Sequence, residues 1–192
     1  MPPQAIDTAY RGFRFRSRLE ARWAVFYTTL NIPFDYEPQG FVINGKPYLP
    51  DFWLPKQDCW VEIKGEAPTN AETDLAAGLA EETKKTVYIF YGSLPEPKNY
   101  DGFDGLAGEY SESAHAHYGG EMMDLGYWWC VCWKCGLVGI EFNGRSNRLP
   151  CPCPPEPGTH GDKGYSAGHP KLVAAYDAAR GARFEHEERF KR

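Results

Sequence analysis

The stretch YLPDFWLPKQDCWVEIKG, Tyr48 to Gly65, decides the fold. It reads as two short strands with a turn between them. Tyr48, Phe52, Trp53, Leu54, Trp60, Val61 and Ile63 give both arms the aromatic and aliphatic content of buried strands. Pro55 and the polar run Lys56-Gln57-Asp58 supply the turn. Asp51, Glu62 and Lys64 interrupt this apolar setting. A charge in a buried strand is costly unless it is paired or holds a metal. Glu62 and Lys64 lie two apart, so they project from one sheet face. Pairing across the turn brings Asp51 to that face as well. Two carboxylates and an ammonium converging at a sheet edge suit a hard divalent cation and a phosphate.

The flanks can be read outward from this core. Residues 1–12 read as a loose arm. Ser17-x-x-Glu20 is a capping-box pattern, and Leu19, Trp23, Phe26, Tyr27 and Leu30 follow on one helical face. Asn31 and Pro33 end that helix. Phe34 to Ile43 reads as a strand, with Asn44-Gly45 as a hairpin turn. Glu37, beside Pro38, reads as a solvent-facing edge residue. On the other side, Thr69 or Asn70 caps a helix over Ala71 to Lys84, with Leu75, Ala76 and Leu79 on its apolar face. Gly78 weakens this helix. Lys84 and Lys85 complement its C-terminal dipole. Val87 to Tyr91, closed by Gly92, reads as a buried strand parallel to the Glu62 strand. Periodicity alone gives a mixed α/β domain.

Pro50-Asp51 followed by Glu62-Ile63-Lys64 resembles the PD-(D/E)xK signature of the restriction-endonuclease-like nuclease superfamily. The resemblance covers the first half of the chain. It is nearest to the phage junction-resolving and transposon end-cleaving endonucleases. It implies an α-β-β-β-α-β core and a site for Mg2+ or Mn2+ held by Asp51, Glu62 and the carbonyl of Ile63. In those relatives a Glu on the first helix adds a carboxylate, which makes Glu20 a metal ligand as well as a candidate helix cap. The resemblance gives Lys64 the task of orienting or activating the attacking water. Exonuclease relatives carry a Gln and a Tyr on the helix after the Lys motif; here that helix has neither, which favours endonuclease action. DNA is the implied partner, met by Arg14, Arg16, Arg18 and Arg22 at its phosphates, and a homodimer cutting two strands is a further implication.

The 192 residues suffice for one domain with a small appendage. Hydrophobic residues at 42% and aromatics at 15% exclude a disordered chain. The net charge of −5 counts against a nucleic-acid partner, but the charge is uneven. Residues 1–30 carry five Arg against two acids, and residues 99–127 carry six acids and no Lys or Arg. No apolar run approaches a membrane span, and the N-terminus lacks a signal-peptide pattern. The expectation is a soluble protein of the cytoplasm, and the resemblance adds phage or prophage origin.

Five of the six cysteines lie between 130 and 153. Cys132-x-x-Cys135 with Cys151-x-Cys153 makes a tetrad suited to structural Zn2+, with Cys130 as a substitute for Cys132. Val138–Phe142, Asn143-Gly144 and Arg145–Leu149 read as the intervening hairpin, similar to a zinc ribbon. Trp128, Trp129 and Trp133 read as packed around the metal, and Cys59 as a buried apolar residue. His115 and His117 read as surface residues. Pro170 opens a last helix with Leu172, Val173, Tyr176 and Ala179 on its apolar stripe. Its arginines read equally as a solvated face or as phosphate contacts.

The sequence thus predicts an α/β protein: a nuclease core over 1–95, an irregular acidic connector over 96–127, a zinc-ribbon-like module over 128–153, and a loop with a C-terminal helix over 154–192. The expected activity is metal-dependent hydrolysis of DNA phosphodiester bonds. The alternative is a catalytically silent nuclease fold that binds DNA or protein through the zinc module.

Overall fold

The structure is a computed structural model that describes residues 6–94, 114–118, 121–123, 127–142, 151–154, 165–166 and 168–184. Ser17 opens α1 (Arg18–Thr29), its hydroxyl accepting the Glu20 N–H at 3.1 Å. Such a cap contributes about 1 kcal/mol. Trp23, Phe26, Tyr27 and Leu30 are buried, as their spacing predicts. Ahead of α1, β1 (Thr8–Tyr10) pairs antiparallel with β2 (Phe13–Phe15) around Arg11-Gly12, both at positive φ. Residues 8–12 are therefore part of a hairpin, not a loose arm. An arginine at positive φ hides the turn from a residue-type reading.

The strand expected over 34–43 breaks into β3 (Asp35–Tyr36) and β4 (Phe41–Ile43). Glu37 adopts φ 45°, and Pro38 has no N–H for a ladder. β4 turns at Asn44-Gly45 into β5 (Lys46–Tyr48), and the two form a hairpin outside the main sheet. β3 pairs instead with β6 (Phe52–Leu54). β6 pairs across the predicted turn with β7 (Cys59–Lys64), Trp53 opposite Trp60. α2 (Asn70–Thr83) then leads to β8 (Thr86–Tyr91), parallel to β7 with Lys64 opposite Tyr91.

β9 (Ala114–Tyr118) and β10 (Glu121–Met123) continue the sheet antiparallel beyond β8. Its order is β10-β9-β8-β7-β6-β3. Both strands fall in the stretch read as irregular, where β9 gives the backbone of β8 a second partner and β10 pairs with β9. The side chains of His115 and His117 lie outside the described residues.

Alternation along the strands sorts the sheet into two faces. Phe52, Leu54, Cys59, Val61, Ile63 and Phe90 pack in a core shared with α1. Trp60, Val87 and Ile89 pack with Ala76, Leu79 and Ala80 of α2 and with Ile43 of β4. Each face thus has its own helix.

A second sheet has the order β12-β11-β13, formed by β11 (Tyr127–Cys132), β12 (Val138–Phe142) and β13 (Tyr165–Ser166). The arm expected over 145–149 lies outside the described residues. α3 (Pro170–Gly181) has Pro170 in its first turn and buries Leu172, Ala175, Tyr176 and Ala179. Phe26 stacks on Tyr176 with centroids 4.5 Å apart and meets Trp129 edge-on at 5.6 Å. Trp129 therefore packs on α1 instead of around the cysteines. Among the described residues the chain is a mixed α/β protein with three helices, and no helix is long and apolar enough to cross a membrane.

Candidate functional site

The parity of the strands sets the site. Asp51 shares the parity of Trp53 on β6, and Glu62 and Lys64 share that of Trp60 on β7, so all three belong to the α2 face. Asp51 Oδ2 accepts the Ile63 N–H at 2.7 Å, which fixes the carboxylate against the strand bearing the other two. Of Ile63, the N–H is thus the group that touches the expected ligand set. Lys64 Nζ stands 3.0 Å from Glu62 Oε2 and 3.5 Å from Glu72 Oε1. Asp51 is 3% exposed and Glu62 2%, so bulk water solvates neither. Glu62 Oε1 is buried without a hydrogen-bond partner. An unsatisfied buried carboxylate oxygen costs several kcal/mol unless something binds it, roughly 1–3 even for a neutral group.

Glu20 sits at the start of α1. Ser17 Oγ donates to its Oε1 at 2.7 Å, while Tyr36 OH at 2.6 Å and the Arg16 N–H at 3.1 Å donate to Oε2. The cap reading is realised here with the backbone of Arg16, one residue before the N-cap. Glu20 also lies close enough to act on Asp51. Burial first, then the charges of Glu62 and Glu20, push the Asp51 carboxyl well above the ordinary carboxylate value, against the Ile63 N–H and Lys64. For Lys64, burial works against the ammonium, but the carboxylates of Glu62 and Asp51 outweigh it and hold the pKa above the lysine value. Burial and Glu62 likewise push the Tyr48 phenol up, so it stays protonated.

The four expected arginines part company. Arg16 enters the site: Nη2 lies 2.8 Å from Asp51 Oδ1, and Nε pairs with Glu37. Arg14 pairs with Asp7 at 2.7 Å on the β1–β2 hairpin. Arg18 is exposed on the first turn of α1, and Arg22 is half-buried further along it. Glu37, expected at a solvent-facing edge, is turned onto Arg16 by its positive φ, and its N–H donates to the Asp51 carbonyl at 2.9 Å. A groove of about 440 Å³ opens at the site, lined by Arg16, Tyr48, Leu49, Glu62, Lys64 and Glu72 among others. Tyr36, Tyr48 and Glu72 were missed as site residues. Glu72 carried one signal, its place three residues after the Thr69 cap, where it completes a capping box and reaches Lys64.

The thiols form a second centre. The Sγ atoms of Cys132, Cys135, Cys151 and Cys153 all lie within 4.8 Å of one another. Cys135 and Cys151 are 3.3 Å apart, Cys132 and Cys151 3.4 Å. A tetrahedral Zn–thiolate site has sulfur–sulfur edges of about 3.8 Å, so this quartet can hold a metal and is compatible with structural zinc. A tight turn makes it possible: Gly136, at φ 71°, donates to the Cys132 carbonyl at 2.8 Å, and the Cys132 N–H bonds Leu137. Burial opposes ionisation of Cys151, yet the Cys153 N–H and the neighbouring thiols bring its pKa down to about 6. None of the six cysteines forms a disulfide. Along β11 the side chains alternate, Trp129 and Val131 toward α1, Cys130 and Cys132 toward the thiol cluster. Cys130 is buried beside the tetrad but is not one of the four. Trp133, in the turn between Cys132 and Cys135, is 52% exposed and lies against the His169 ring at 4.3 Å.

Comparisons of the chain with protein-family models, with curated proteins and with solved structures return no match.

Proposed function

We propose that the chain is a metal-dependent endonuclease that hydrolyses DNA phosphodiester bonds. The carrying observation is the burial of Asp51 and Glu62 together, with Glu62 Oε1 unpartnered and Lys64 3.0 Å from the other oxygen, at the edge of a groove. The order of elements lends support: α1 precedes the β6–β7 pair, and α2 and a parallel β8 follow it, with the β4–β5 hairpin as an addition to the three strands that the PD-(D/E)xK resemblance implies. The donor set fits Mg2+ or Mn2+, since Asp51, Glu62 and Glu20 offer carboxylate oxygens. Bound there, a divalent cation polarises the phosphate and acidifies water. Lys64, kept charged by its acidic neighbours, supplies a fixed positive charge for the phosphate oxygens. Glu62 and Glu72 hold that ammonium between them. The protonated Tyr48 phenol, in the groove wall, stands against Glu62; burial, then the charge and hydrogen bond of Glu62, keep it protonated. The Ile63 N–H keeps Asp51 aimed. Zinc on the four thiols has a structural role in this reading, because a closed set of four thiolates leaves no open position.

The test is a cleavage assay on supercoiled plasmid, linear duplex, single strand and four-way junction, each with Mg2+, Mn2+ or EDTA. Cutting that needs the metal and disappears in Lys64→Ala is the expected result. One observation favours a second reading: Arg16 already neutralises Asp51. A silent binding module would retain DNA in EDTA and cut with no divalent ion.

A further inference from the structure

We infer that Arg16 is a built-in counter-cation of the carboxylate site, held on Asp51 until a DNA phosphate draws it off and opens that carboxylate to the metal. The inference rests on the nuclease reading above and adds to it a coupling between the two ligands. Asp51 has two oxygens, and both are engaged. Oδ2 takes the Ile63 N–H, and Oδ1 takes the Arg16 guanidinium at 2.8 Å. A cation joining Asp51 at Oδ1 meets the positive charge of Arg16. Glu62 Oε1 has no such occupant.

Arg16 is built to exchange partners. Its backbone is anchored: the N–H donates to Glu20 Oε2 and lies 3.0 Å from Tyr36 OH, directly before the Ser17 cap of α1. Its side chain is 55% exposed and lines the groove. A fixed root with a half-exposed side chain lets the guanidinium turn without disturbing the helix. It forks onto two acids, Asp51 and Glu37, and phosphate accepts the same planar fork. A phosphate lying in the groove therefore competes with Asp51 for Arg16 and leaves Asp51 for the cation. Coupling of this kind is reciprocal: DNA tightens the metal, and the metal tightens DNA. The alternative role, a plain salt bridge that stabilises the fold, predicts no such coupling.

The experiment is calorimetric titration of Mn2+ into the full-length, zinc-loaded protein, alone and with a phosphorothioate duplex that resists cutting. Arg16→Ala is expected to bind Mn2+ about tenfold tighter than the wild type without DNA, a typical coupling size. The duplex is expected to tighten Mn2+ about tenfold for the wild type and not for Arg16→Ala. Arg16→Lys keeps the charge but not the fork, so its affinity falls between the two and guards against a folding defect in the alanine variant. Lys85→Ala removes one charge at the far end of β7, from a pair with Asp58, and leaves the Mn2+ constant as it was. Equal Mn2+ constants for wild type and both Arg16 variants, with binding lost in Asp51→Asn, would overturn the inference and leave the nuclease reading standing. No Mn2+ binding in any form would remove both.

Discussion

The surroundings of Asp51 resist its ionised form. Burial and the carboxylates of Glu62 and Glu20 raise its pKa, and the Ile63 N–H and Lys64 offset this only in part. Stability is commonly given up in this way at sites that must bind something. Asp51→Asn removes one like charge and keeps an oxygen for the Ile63 N–H. Arg16 retains Glu37. The expected outcome is a thermal midpoint in EDTA equal to or above that of the wild type, with the Mn2+ stabilisation and the cleavage that the nuclease proposal requires both gone. A midpoint well below the wild type would mean that Asp51 serves the fold. Asp51, Glu62, Lys64 and the four thiols were legible in the sequence because charge or sulfur stands out within apolar strands. Tyr36 and Tyr48 were not legible as site residues, and Arg16, expected at phosphates, was not legible as the partner of Asp51. Their contacts join distant positions, 35 residues apart for Arg16 and Asp51 and 16 for Tyr36 and Glu20, and nothing local marks them.

At the scale of elements, α2 was readable from its cap and apolar spacing, yet the packing role of Gly78 was not. A Cβ at Gly78 would come within 2.3 Å of Ile43 Cγ2. Ile43 is 2% exposed, and its branched side chain sits on the β4–β5 hairpin with little room to turn. Gly78 is the seat that lets the hairpin lie on α2. Gly78→Ala is therefore expected to destabilise the protein by about 1–3 kcal/mol in urea unfolding, despite the better helix propensity of Ala. A gain would show that the hairpin does not close on the helix. The same hairpin explains why the 34–43 strand was unreadable as two pieces: the break depends on a positive φ at Glu37, which residue type does not announce. The start of α2 makes a pH prediction. Hydrogen bonds from Thr69, with Lys64 nearby, hold Glu72 below its ordinary value of 4.5. A depressed acid stabilises the fold above its unfolded pKa and loses that contribution as pH falls through the folded value. The stability gap between wild type and Glu72→Gln should thus narrow as pH drops below about 4.5. Because Glu72 is largely solvated, the gap at neutral pH should stay below about 1 kcal/mol. A gap that persists unchanged at pH 3 would sink this assignment.

Over the whole molecule, the thiol cluster and the main core are joined through one strand. β11 turns Cys132 to the tetrad and, on its other face, Trp129 and Val131 to α1 and α3. Trp129 is 1% exposed and meets Phe26, Tyr27 and Phe90. A metal held by the thiols would therefore fix a strand that plugs the central core. Thiol sites of this kind contribute folding energy directly. One equivalent of zinc is expected by metal analysis. Cys135→Ser should lose it, whereas Cys130→Ser should keep it, since Cys130 lies beside the tetrad and not in it. Removing the metal should loosen β11, withdraw Trp129 and weaken α1 and α3 together. The thermal midpoint should then fall by roughly 10 °C or more, the size of several kcal/mol in a chain of this length. It should fall as one transition, seen equally by tryptophan fluorescence and by far-ultraviolet dichroism. Two separate transitions, with the midpoint of the larger one unmoved by chelation, would mean that the thiol module folds on its own account. Trp133→Ala supplies the contrast: an exposed ring on the turn between two thiols should change stability by only about 0.5 kcal/mol, so a large loss there would put the metal's anchoring in the turn and not in β11.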